Sequence, residues 1–175
     1  MVAKVVRGTV TLLMACLVIG ASSTCEAQRS SPVMKTYAYE REVVGGIPGG
    51  GLPGARPESK QTHYVIYIET PPHTNAVVEG VWMNGQFHRV DTVVKPAPVR
   101  FESPVALAQD DVAVPATSNT VTEITVKDLV PDKTPDADVS KILSDHVAAL
   151  QVRDAGKSVL VPIKSFARRA PLYRP

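Results

Sequence analysis

Histidine, cysteine and carboxylate side chains are where chemistry would start in this chain of 175 residues, and they are sparse. The four histidines, His63, His73, His88 and His146, lack the short spacings of a preformed metal site. His63 and His88 would approach one another if their strands were neighbours, with Glu69 or Asp91 to complete a set. The plainer reading is histidines on the surface or on strand edges. Asp145 and His146 are an adjacent acid–base pair, but adjacent residues on a helix point apart and form no dyad. Asp110 and Asp111 fall in a polar loop, and Asp136 and Asp138 read as helix capping. Neither pair has the glycine-centred loop of a calcium site. No Gly-x-Ser-x-Gly elbow and no His-Glu-x-x-His helix occurs, although a Ser-His-Asp triad assembled in space leaves no motif. The sequence therefore assigns no catalytic residue, no cofactor and no metal. It offers one candidate surface site, made of His63, His88 and Trp82.

Both cysteines lie near the start, in residues 1–27, which have the anatomy of a secretory signal. Lys4 and Arg7 open it, an apolar run follows from about Val10 to Ala21, and small polar residues come next. The run is short for a bilayer span of about 20 residues, so cleavage after Ala27 is expected, leaving Gln28 as the first residue. Two alternatives make the chain a lipoprotein. Leu13-Met14-Ala15-Cys16 resembles a lipobox, although the apolar run continues past Cys16, and Cys25 has a poorer one in front of it. Cleavage after Ala27 leaves no cysteine, hence no disulfide framework.

Positioning falls to a β-rich body. The chain is 44% hydrophobic, enough for a core, and its +2 charge is nearly balanced. Without the leader, 17 basic side chains face 16 acidic ones, with no concentrated basic stripe for nucleic acid. Residues 28–60 read as a flexible segment in which Tyr37–Val44 either forms a short strand or stays loose. It ends in a stretch from Gly45 to Pro57 with six Gly and three Pro, too poor in motif for a phosphate loop. Residues 61–167 read as the globular domain, and 168–175, with Arg168, Arg169 and Arg174, as a basic tail.

Within the domain, Thr62–Thr70 is apolar on both faces and predicts a central strand, covered on its second face by a helix or a loop. Asn84-Gly85 between Val77–Met83 and Gln86–Val94 predicts a type I′ hairpin with Trp82 opposite Phe87, a pair placed to seed the core. Val99–Ser103 suggests a short edge strand and Asp110–Asn119 a loop. Val121–Leu129 predicts a strand with Thr122, Ile124 and Val126 inward and Val121 toward the polar side. A helix capped by Thr134, with Pro135 first, is expected to run to about Arg153 on the spacing of Val139, Ile142, Leu143, Val147 and Leu150. Ser158–Ile163 then forms an edge strand or a bulged one, because Pro162 cannot donate to a ladder. The expected fold is mainly β: an antiparallel sandwich, Ig-like, or a small α+β sheet with one amphipathic helix in the C-terminal half.

At Thr62–Thr70 and at Val81-Trp82-Met83-Asn84-Gly85 the chain resembles small uncharacterised exported proteins of Bacteroidetes-type bacteria. The resemblance covers about half of the mature chain. It implies a location in the envelope of a Gram-negative bacterium, periplasmic or on the outer-membrane surface, and brings no catalytic residues with it. The expected function is a non-catalytic binding module for an envelope protein or polysaccharide. The alternatives are a small periplasmic hydrolase or carbohydrate-binding accessory protein, and a lipoprotein tethered to the membrane through residues 45–57.

Overall fold

The computed structural model describes residues 31–45, 59–101 and 112–174. The leader with Cys16 and Cys25, residues 46–57 of the Gly/Pro-rich stretch, and the Asp110–Asp111 pair lie outside the described residues.

Eight strands form one large curled sheet: β1 (Lys35–Gly45), β2 (Ser59–Thr70), β3 (Val77–Met83), β4 (Gln86–Lys95), β7 (Thr120–Leu129), β8 (Ala148–Asp154), β9 (Lys157–Ile163) and β10 (Ala167–Arg174). Two short strands, β5 (Val99–Arg100) and β6 (Val112–Val114), make a separate antiparallel pair, and the helix α1 spans Ala137–Asp145. In space the order is β10-β1-β2-β7-β4-β3-β8-β9, antiparallel except for the parallel β1–β10 pair. The protein is mainly β, with a mixed sheet and one short helix among the described residues.

Period-two alternation sends side chains to two faces, and each face has its own core. Ile66 and Ile68 of β2, Ile124 of β7, Val81 of β3, Leu150 and Val152 of β8 and Val161 and Ile163 of β9 meet on the inner face. Full burial of each such side chain is worth about 1.5–3 kcal/mol. Curling brings β2 and β9, near opposite ends of the sheet, into this single cluster. On the outer face, Tyr67 and Val121 are covered by Val99, Ala113 and Val114 of the β5–β6 pair. The second cover of β2 is therefore this hairpin and not the helix, and Val121 is a buried residue rather than one on a polar side. Residues 112–114, expected in a loop, are the strand that supplies it.

The hairpin forms as its turn chemistry requires. Asn84 and Gly85 take φ of 51° and 74°, Trp82 pairs with Phe87, and their rings stand 5.0 Å apart. Trp82 and Phe87 nucleate a third, smaller cluster with Ala149 of β8 and Val139 of α1, apart from the main core. Diagonal to Phe87 and beneath its ring, Gly80 leaves room for nothing: a Cβ there would lie 2.3 Å from the ring and 2.6 Å from the His88 carbonyl oxygen.

Three segments depart from the expected architecture. Lys35–Gly45, placed in the flexible segment with a short strand as one of two readings for Tyr37–Val44, is a long strand paired with β2 along its whole length. Ala167–Arg174, placed at the end of the domain and in the tail, is the strand that closes against β1. The helix stops at Asp145 because His146 turns extended (φ −134°, ψ 149°), and Ala148, Leu150 and Val152 continue as a strand with period two. Asp136, not Thr134, is the cap: its Oδ1 accepts from the Val139 amide at 2.8 Å. Replacing it in Asp136→Ala is expected to cost about 1 kcal/mol, read as a lower urea midpoint with unchanged slope; an unshifted midpoint would show that the cap carries no weight. The expected edge position of Ser158–Ile163 is met, with Pro162 on β9 opposite Ala149.

Candidate functional site

β2 and β4 are both neighbours of β7, so one strand separates His63 from His88. The β2–β7 ladder runs from Thr70–Thr120 to Val65–Thr125 and ends there, although β2 continues back to Ser59 and β7 on to Leu129. The two strands part beyond that pair, and a cleft of 370 Å³ opens between them. His63, Tyr64, Met83, His88, Val126 and Lys127 are among its walls. Each strand stays laddered on its far side, Gln61–Tyr64 to β1 and Val126 and Leu129 to β4.

The structure thus brings His63 and His88 to one cleft and sends Trp82 elsewhere. Trp82 is 2% exposed, beneath α1 on the opposite face, with its Nε1 donating to Gln151 Oε1 at 3.2 Å. The three-residue surface site is therefore split, because Trp82 and Val81 alternate across the sheet and Val81 faces the inner core with His88 as its partner. His88 Nδ1 lies 3.4 Å from the Lys127 carbonyl oxygen. The carboxylates proposed for a histidine cluster are engaged elsewhere: Asp91 pairs with Lys127 at 3.1 Å, and Glu69 sits at the far end of β2. Among the described residues no three His, Cys, Asp or Glu side chains come together as a metal site. His146 caps α1, its Nδ1 3.0 Å from the Ile142 carbonyl oxygen, and His73 occupies a turn with φ of 66°.

Glu69 is a buried carboxylate, 1% exposed, and it is fully served. Its oxygens accept from Asn119 Nδ2 at 2.8 Å, Tyr37 Oη at 2.7 Å and Thr117 Oγ1 at 3.0 Å. The Asn119 and Tyr37 bonds hold its carboxyl below the usual range, against burial that pushes the other way. In turn, burial and the Glu69 acceptor push the Tyr37 hydroxyl up to about 12. This cluster ties β1, β2 and the segment leading into β7 to one another. A second carboxylate, Glu79 at the β3–β8 seam, accepts from Gln151 Nε2 at 2.9 Å and from Arg153. Burial raises it, but Gln151 and Arg153 outweigh burial and hold it below the usual range.

A further group was invisible from the sequence. Register across β10, β1 and β2 sets Arg169, Arg41 and His63 side by side in one row. The Arg169 guanidinium carbon lies 4.0 Å from the Phe101 ring centre and 5.2 Å from that of Tyr39, and Arg41 lies 5.7 Å from Phe101. Tyr39, Phe101 and these two arginines line a hollow of 160 Å³, to which His63 also belongs. Burial raises the Tyr39 hydroxyl, with Arg169 opposing it. Tyr37, Tyr39 and Arg41 at every second position were the available signal for one strand face, but Arg169 lay in what read as a basic tail, so nothing in the sequence brought the two together. Among the described residues no helix is long and apolar enough to cross a membrane. Searches for a matching family model, a similar curated protein and a similar solved structure find none.

Proposed function

We propose that the chain is an exported, non-catalytic module of a Gram-negative cell envelope, and that it holds a second envelope component, a protein or a polysaccharide, in the cleft between β2 and β7. Export is suggested by residues 1–27, with their positive start and apolar run. The binding role is carried by one observation: two strand edges part inside the sheet and enclose a cleft with an apolar floor, to which Tyr64, Met83 and Val126 contribute. The curled sheet closes around one core, and a rigid β scaffold of that kind suits a binding module.

The test is photo-crosslinking in an expressing Gram-negative host. With p-benzoylphenylalanine in place of Lys127, on the cleft, light is expected to join the protein to an envelope macromolecule. The same residue in place of Val94, 67% exposed and at the other end of β4, is expected to give no such adduct. Equal labelling from both positions, or none from either, would overturn the reading. Intact mass of the recovered protein is expected to begin at Gln28; a mass beginning at Cys16 or Cys25 with acyl chains would replace soluble export by a membrane tether.

A further inference from the structure

We infer that the occupant of the β2–β7 cleft is an extended polypeptide segment that adds to both strand edges at once. This rests on the reading of the cleft as the binding site and goes on to name the chemistry of its ligand. β2 and β7 are antiparallel and share a ladder only from Val65–Thr125 to Thr70–Thr120. Before and after it, residues 61–64 of β2 and 126–129 of β7 remain strand; β1 ladders the first stretch without interruption, and β4 holds the second at Val126 and Leu129 with a bulge between them. The ladder pairs no residue of one stretch with a residue of the other. Alternate residues of 61–64 therefore turn an N–H and a C=O toward the cleft, as do the residues of β7 on either side of its bulge, and such groups need partners when they are shut away from water.

A segment of polypeptide meets that requirement better than a sugar does. Strand addition satisfies both edges with main-chain bonds alone, and sequence selectivity comes from side chains at alternate positions. The inserted segment runs antiparallel to one neighbour and parallel to the other, since those neighbours oppose each other. Inward positions meet Tyr64, Met83 and Val126, which belong to or pack on the main core, so they take apolar side chains. Outward positions meet His63 and Lys127 at the rim and take polar or acidic ones, while His88 shares the inward side with Val81. A flat sugar ring would call for an exposed aromatic platform; the ring in this cleft, Tyr64, is already packed 4.9 Å from Phe166.

The experiment pans a phage-displayed library of random twelve-residue peptides on the mature protein, then measures the selected peptides by calorimetry and by amide hydrogen exchange. The expected result is peptides of alternating apolar and polar character that slow exchange in residues 61–64 and 126–128. N-methylation of the peptide is expected to weaken binding about tenfold per methyl in both phases of the alternation, one phase donating to β2 and the other to β7, a readout that leaves the protein untouched. Val126→Lys on the cleft floor is expected to abolish binding, with unchanged urea midpoint as the check on folding. Three results would overturn the inference: no peptide enriched, protection of β9 or β10 instead of the cleft, or indifference to N-methylation. A glycan adduct at position 127 in the envelope, with no peptide selected, would leave the module standing and sink the polypeptide.

Discussion

Glu69→Ala is expected to remove about 3–4 kcal/mol of stability at pH 7, the largest loss from any single polar side chain described. The truncated side chain leaves the donors of Tyr37, Asn119 and Thr117 without their acceptor in a place water reaches poorly. Each stranded donor costs about 1–3 kcal/mol, and relaxation of the half-buried Thr117 and Asn119 segment recovers part of it. Glu69→Gln keeps the volume and one acceptor oxygen but turns an N–H toward a donor, so its cost is expected to fall between. The sign of the pH dependence follows from the direction of the shift. A carboxyl held low in the folded state contributes fully above its unfolded value near 4.3 and loses that contribution as pH falls through the lower folded value. The gap between wild type and Glu69→Gln should therefore close on acidification below about pH 4. At the alkaline end, Tyr37 is raised from 10.0 to about 12, so its contribution is complete below pH 10 and is lost as pH climbs toward 12. Urea titrations at a series of pH values decide this; a wild type and a Glu69→Gln variant that lose stability in parallel on acidification would refute the assignment.

Gly80→Ala should be nearly as damaging, for a different reason. The added Cβ would stand 2.3 Å and 2.8 Å from two atoms of the Phe87 ring and 2.6 Å from the His88 carbonyl oxygen. A ring can swing; the carbonyl belongs to the β4 backbone and cannot. Overpacking of this kind costs about 1–3 kcal/mol and at times more, and the upper end is expected here because β3 is already irregular between Val78 and Gly80 against β8. Phe87→Leu in the same chain clears the ring contacts and leaves the backbone one, so the double variant is expected to recover part of the loss, not all. Full additivity of the two single losses would show that the ring is not what Gly80 accommodates.

These two positions also show where the sequence was informative. Glu69 ends the strand whose two apolar faces stood out, and Gly80 leads into the Asn84-Gly85 turn; both elements follow from local patterning and turn chemistry, so both were legible. At Lys35–Gly45 a strand was one of two open readings, and at Ala167–Arg174 it was missed, because the pairing of β1 with β2 and β10 lies in no window of neighbouring residues. Val147 and Leu150 fit a helical spacing as well as they fit their surroundings, while Ala148, Leu150 and Val152 fit a strand; tertiary burial of the second set decided the matter. Of the cleft, His63 and His88 were legible as candidates. The place where the β2–β7 ladder stops depends on how the sheet curls, and residue types carry no mark of it.

The parallel seam between β1 and β10 joins residue 39 to residue 167, spanning most of the described chain. A ribosome or a translocation pore delivers these strands at opposite ends of the process, so β1 has to wait for its outer neighbour until nearly the whole polypeptide has emerged. Long-range pairing of this kind makes folding slow and late. Under the export proposed above, that delay would be useful: the architecture itself would keep the chain threadable until the passage was complete.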